Sequence, residues 1–141
     1  MQFIEGSHVI SLAMFLVCLD AGDQSRCSSG AEVDVTKTVE LLDSEDPVVA
    51  GDAACRLGDG RDVGEQAILA LIAHLADERE AEVFPGVVPV RPRTVGDYAA
   101  GSLVQIDKPA IVSPLCKFLA DSDSEAGRIR AMETLGCLGS P

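Results

Sequence analysis

A leucine-rich stretch ending in Asp, a polar gap and then Ala-x-x-x-Leu occurs three times in this chain of 141 residues. The copies run from Leu42-Asp43 to Ala53 and Leu57, from Leu75-Ala76-Asp77 to Ala99 and Leu103, and from Leu119-Ala120-Asp121 to Ala131 and Leu135. A recurring internal unit argues for stacked supersecondary elements rather than one closed globule. The Asp positions lie 34 and 44 residues apart, the Ala positions 46 and 32. Within a copy the Asp-to-Ala gap is 10 residues in the first and third and 22 in the second. The unit is therefore 32 to 34 residues long, and the middle copy carries about 12 extra residues between its halves.

Each half has helical periodicity. Ala67, Leu71 and Leu75 stand four apart, as do Val49, Ala53 and Leu57, and Val95, Ala99 and Leu103. That spacing lays an apolar stripe along one helix face. Ala53, Ala54, Ala99, Ala100 and Ala131 let neighbouring helices approach closely. Start signals are present: Asp46 before Pro47 as an N-cap, Asp62 with Glu65 and Thr94 with Asp97 as capping boxes, and Ser124 as a further cap. Gly58, Gly60 and Gly139 fit helix ends that want a left-handed residue. Pro114 predicts a helix starting near Val112, because proline costs little in a first turn.

Only 4% of residues are aromatic while 47% are hydrophobic, so the core is built from Ala, Val, Leu and Ile, which suits close-packed helices. A formal charge of −12 repels phosphate backbones and argues against a nucleic-acid partner. The five cysteines are scattered and there are two histidines, His8 and His74, so no zinc-type ligand spacing exists. Cys55, Cys116 and Cys137 fall in predicted helices and are expected to act as small buried apolar groups. The sequence has no Asn, which excludes an N-glycosylation sequon and an Asn-dependent cysteine-protease triad.

The apolar run Val9 to Leu19 is too short to span a bilayer, which needs roughly 20 residues. Its length suits a signal-peptide h-region, although Glu5 precedes it and no Lys or Arg does. An export signal and a helix that caps the stack both remain open, and with them a cytoplasmic or an exported location. Asp20 to Val33 reads as a linker. The domains expected are a 1–33 N-terminal segment and a 34–141 repeat region, divided at 34–60, 61–107 (with an inserted loop, 78–93) and 108–141.

The segments Val49-Ala50-Gly51-Asp52-Ala53-Ala54-Cys55-Arg56-Leu57-Gly58, Val95 to Leu103 and Arg128 to Gly136 resemble HEAT repeats, in particular the short HEAT-like class first described in phycobilisome lyases. That pattern places a β-branched residue and Arg before the alanines and Leu-Gly after them. Arg128 matches the Arg, whereas Ala50 and Gly96 replace it in the first two copies. The resemblance covers residues 35 to 139. It implies an all-α fold, an α-solenoid (HEAT-like superhelix) of about three helix pairs, and a role in binding other proteins. It also permits a second function, a bilin-lyase-like or chaperone-like protein acting on a tetrapyrrole-carrying partner.

No residue set points to catalysis, a cofactor or a metal. Gly58-Asp59-Gly60-Arg61-Asp62-Val63-Gly64 lacks the third glycine of a dinucleotide loop and follows a helix rather than a strand. Asp121 to Gly127 lacks the sixth-position glycine of a calcium loop. His74 is expected as an exposed or helix-end imidazole. The insertion Glu78 to Arg93 holds three prolines, a Phe, several Val and three of the eleven basic residues, and a loop this long is unusual in a compact repeat. The leading expectation is a non-catalytic scaffold that binds another protein through this loop and the face of the second helices. The candidate contacts are Arg79, Phe84, Val88, Arg91, Arg93 and Tyr98. The alternative is a tolerated loop folded over its own repeat, with Phe84 buried. With Leu138-Gly139-Ser140-Pro141 following the last helix, an uncapped apolar end is also expected, a route to self-association unless Val9 to Leu19 covers it.

Overall fold

The computed structural model describes residues 33–60, 62–84, 86 and 91–139. Those residues form an all-helical structure. Its six α-helices are α1 (Val35–Leu42), α2 (Pro47–Asp59), α3 (Glu65–Ala73), α4 (Val95–Ile106), α5 (Val112–Asp121) and α6 (Glu125–Leu138). Short 3-10 turns extend α3 (His74–Ala76) and lead into α5 (Pro109–Ile111). Of the expected N-terminal segment 1–33, residues 1–32 lie outside the described residues.

Consecutive helices pack as pairs: α1 with α2, α3 with α4, α5 with α6. The second helices also contact one another in order, α2 with α4 and α4 with α6, as do the first helices, α1 with α3 and α3 with α5. Between these two rows lies a core of Leu42, Leu57, Leu71, Leu75, Leu103, Ile111 and Leu115, all fully buried, with Ala50, Ala54, Ala67, Ala99 and Ala131 filling the gaps. Burying each large aliphatic side chain contributes roughly 1.5–3 kcal/mol.

Every second helix starts from a side-chain cap. Asp46 Oδ1 accepts from Val48 N–H at 2.9 Å, Thr94 Oγ1 from Asp97 N–H at 3.2 Å, and Ser124 Oγ from Gly127 N–H at 3.0 Å. Asp97 completes the expected capping box by accepting the Thr94 N–H at 3.0 Å. The Asp62–Glu65 box does not form: α3 begins at Glu65 with Gly64 as its N-cap, and no side chain caps it. Pro114 sits in the first turn of α5, as expected, because the 3-10 turn from Pro109 already sets the chain direction.

The glycines expected as left-handed helix ends do other work. Gly60 (φ −68°, extended) and Gly139 (φ −84°, right-handed) follow their helices at negative φ, which any residue adopts. The residue that closes α4 in the left-handed region is Asp107, at φ 43°. Gly58 lies inside α2, where a β-carbon would fall 2.9 Å from Ser102 Cα. Its absence lets α2 and α4 close up, and the Ser102 hydroxyl lies 2.6 Å from the Ala54 carbonyl on the facing helix.

Candidate functional site

The polar chemistry of the described residues concentrates at the turns that link the helix pairs. Arg130, in the second turn of α6, is only 7% exposed. Its Nε donates to Asp97 Oδ1 at 2.9 Å, one terminal nitrogen to the Leu75 carbonyl at 2.8 Å and the other to Thr94 Oγ1 at 2.9 Å. One guanidinium thus holds the end of the α3 turn and the start of α4. The position opposite is Gly96, where a β-carbon would lie 2.9 Å from an Arg130 terminal nitrogen and 2.6 Å from the Leu75 carbonyl. Glycine is needed there to admit the fork.

Burial is the largest influence on Asp97 and would raise its pKa. The Thr94 N–H and the Arg130 guanidinium outweigh burial and hold the carboxyl below the usual carboxylate range. An ion pair in so dry a position specifies geometry, since its attraction largely offsets the cost of desolvating both groups.

A second junction repeats the logic one pair earlier. Arg79 chelates Asp77, with contacts of 3.0 and 2.7 Å, and donates to the carbonyls of Ser44 and Glu45 at 2.8 and 3.1 Å. Those carbonyls belong to the α1–α2 turn. His74 ends α3 with its side chain only 17% exposed, Nε2 lying 3.2 Å from Asp43 Oδ1 and Nδ1 3.7 Å from Asp77 Oδ2. Burial again pushes the Asp77 carboxyl up, and Arg79 outweighs it, so the net shift is downward.

The insertion leaves from this second junction. Its stems pair antiparallel through an isolated bridge between Glu80 and Thr94. Ala81 N–H donates to the Arg93 carbonyl at 2.9 Å and Val95 N–H to the Arg79 carbonyl at 3.0 Å. Ala81 is buried and Val83 half-buried over α2, at Gly51, where a β-carbon would lie 2.8 Å from Val83 Cγ2. Phe84 is half-buried and tilts against Tyr98, ring centroids 6.3 Å apart, a favourable aromatic geometry.

The six candidate contacts therefore separate. Arg79 is committed to the α1–α2 turn. Tyr98 is 2% exposed, inside the core, and Phe84 packs on it. Arg91 is the open one, its side chain 71% exposed and 3.5 Å from Asp97 Oδ1. Arg93 is half-buried at the stem, and Val88 lies outside the described residues.

Three cysteine expectations also separate: Cys55 is buried, Cys116 is exposed on α5, and Cys137 is disulfide-bonded rather than a simple apolar filler. Sequence reasoning passed over Arg130 in favour of Arg128, which is exposed. The signal available was a lone Arg directly before Ala131, where the other copies carry Asp52 and Tyr98.

Among the described residues no helix is long and apolar enough to cross a membrane, and no group of three His, Cys, Asp or Glu could hold a metal ion. The sequence matches no protein-family model, and no curated protein or solved structure is significantly similar to it.

Proposed function

We propose that this chain is a short, right-handed, HEAT-like α-solenoid that serves as a non-catalytic scaffold for another protein. The pattern of contacts, first helix to first helix and second to second, supports the solenoid reading. The two arginine–aspartate joints, the buried Arg130–Asp97 and the more exposed Arg79–Asp77, support it too, because each ties one helix pair to the next as a rigid platform requires.

The observation that carries the binding role is the anchored insertion. Its stems are tied by backbone hydrogen bonds and its Ala81, Val83 and Phe84 are packed down, while Glu82, Gly86, Arg91 and Pro92 stay exposed. A loop held at its base and presented at its edge loses little conformational entropy on binding, which favours affinity. Arg91 supplies a charge-assisted donor for an acidic or carbonyl-rich partner surface.

Affinity capture with the full chain, compared with a variant lacking residues 82–92, tests this reading. Partners retained by the full chain should be lost from the deletion variant while its helical circular dichroism persists. Unchanged capture would remove the loop from the function.

A further inference from the structure

The two ends of the helix array differ in kind. Aligning the copies on Ala53, Ala99 and Ala131 sets Tyr98 and Ser102 of α4 in register with Arg130 and Thr134 of α6. These positions face the preceding pair. Tyr98 and Ser102 meet Gly51 and Gly58 of α2, and Arg130 reaches Leu75, Thr94 and Asp97. On α2 the same positions are Asp52 and Arg56, an i,i+4 ion pair at 2.8 Å. The first end of the array is thus closed by charge.

The last end is apolar. The buried residues of α6 are Gly127, Arg130, Ala131 and Thr134. At about 100° per residue they fall on one side of the helix. Its exposed residues, Glu125, Arg128, Ile129, Met132 and Glu133, fall on the other. Ile129 is 44% and Met132 55% exposed, an apolar pair turned away from the rest of the array. A helix with apolar residues on two opposite faces suits packing on both.

The order of residues on this face says what fits it. Written as a heptad, Arg128 is g, Ile129 a, Met132 d and Glu133 e. The seam positions are apolar, and the flanks carry opposite charges. In a parallel helix pair, a meets a, d meets d, and g lies beside the following e of the other helix. Two copies of α6 related by a two-fold axis along the helices therefore bring Ile129 and Met132 onto their counterparts. They also set Arg128 of each copy against Glu133 of the other. An antiparallel pair would place Arg128 on the same flank as its own copy and lose both contacts. Head-to-tail stacking would set Ile129 and Met132 against the Asp52–Arg56 ion pair, desolvating it without return. Glu125, at the preceding d position, faces its counterpart in the parallel pair and opposes it.

We infer that the Ile129–Met132 face of α6 binds a second copy of this chain, α6 parallel to α6, in a closed two-fold dimer held by two Arg128–Glu133 pairs. The apolar seam is one heptad long, so the contact falls at the small end of specific interfaces and forms reversibly at high protein concentration. It uses no residue of the inserted loop and does not rest on the scaffold reading.

Sedimentation equilibrium of the full chain, from micromolar to millimolar concentration, tests it. A reversible monomer–dimer equilibrium is expected, and Met132→Glu should abolish it. Arg128→Glu sets like charges together at both contacts and should weaken the dimer about tenfold or more, as should Glu133→Arg. The variant carrying both swaps should regain the association of the wild type, and Glu125→Gln should tighten it. All these positions are exposed, so circular dichroism should not change. A monomer at every concentration, with the α6 face bare or covered by other residues of the same chain, would overturn the inference. So would larger open oligomers, a covalent dimer on a non-reducing gel, or a dimer that the double charge swap fails to restore.

Discussion

Arg130 and Asp97, 33 residues apart in sequence, meet at 2.9 Å with side chains 8% and 13% exposed, and so join the second turn of α6 to the first turn of α4. Asp97 also completes the capping box of α4, and the contact to Arg130 adds a partner from a different helix pair. The pair belongs to the junction between two helix pairs, and several consequences follow from its burial.

Replacing Arg130 with Ala takes the guanidinium from the Leu75 carbonyl and from the Asp97 carboxylate, which keeps the Thr94 N–H but loses its buried counter-charge. Breaking a buried pair from one side costs roughly 3–5 kcal/mol. Urea denaturation followed by circular dichroism should show a loss of that order. Arg128→Ala, on exposed surface, should change stability by less than about 0.5 kcal/mol.

Acid should weaken this junction in a defined window. The pKa of Asp97 is lowered on folding, so its contribution is fully present above the ordinary carboxylate value of about 3.9 and is lost as pH falls through the lower folded value. The unfolded chain takes up the proton first. The urea midpoint of the wild type should therefore fall below about pH 4. Asp97→Asn should start lower at pH 7 and show a shallower acid limb.

Asp59 makes the opposite prediction. It ends α2, where the helix dipole disfavours a negative charge, and its Oδ2 is buried without a hydrogen-bond partner. Burial raises its pKa, so stability falls as pH rises from the ordinary value through the raised one. Asp59→Asn should raise the melting temperature at pH 7, and the gain should shrink below pH 4.

Three glycines separate packing from conformation. Gly96→Ala would push a methyl to 2.6 Å from the Leu75 carbonyl, and Gly58→Ala to 2.9 Å from Ser102 Cα. Overpacking of this kind costs typically 1–3 kcal/mol, read as a lowered urea midpoint. Nothing lies within 4 Å of a β-carbon at Gly64, so Gly64→Ala should be close to neutral.

Much of the local structure was legible because it depends on neighbouring residues. Asp46-Pro47, Thr94 with Asp97, Ser124 and the late start before Pro114 each act within one turn. The failed expectations share a cause. Gly58 resembled a helix end, but α2 continues through it because α4 needs the space. Asp62 resembled a cap, but α3 begins three residues later. Cys116 had the periodicity of a helix but not a place on its buried face. The insertion was visible as a twelve-residue excess, whereas its tie to Thr94 and Arg93 and the packing of Phe84 on Tyr98 were not.

The sequence alone determined that this chain builds helices in repeated pairs with a break in the middle copy, since apolar period, caps and prolines act over a few residues. Tertiary structure alone decided which charges are buried, which glycines are contact points and which loop residues remain exposed. Those properties depend on groups brought together from 30 to 55 positions away, such as Arg130 with Asp97 and with the Leu75 carbonyl. A one-dimensional pattern does not encode those distances.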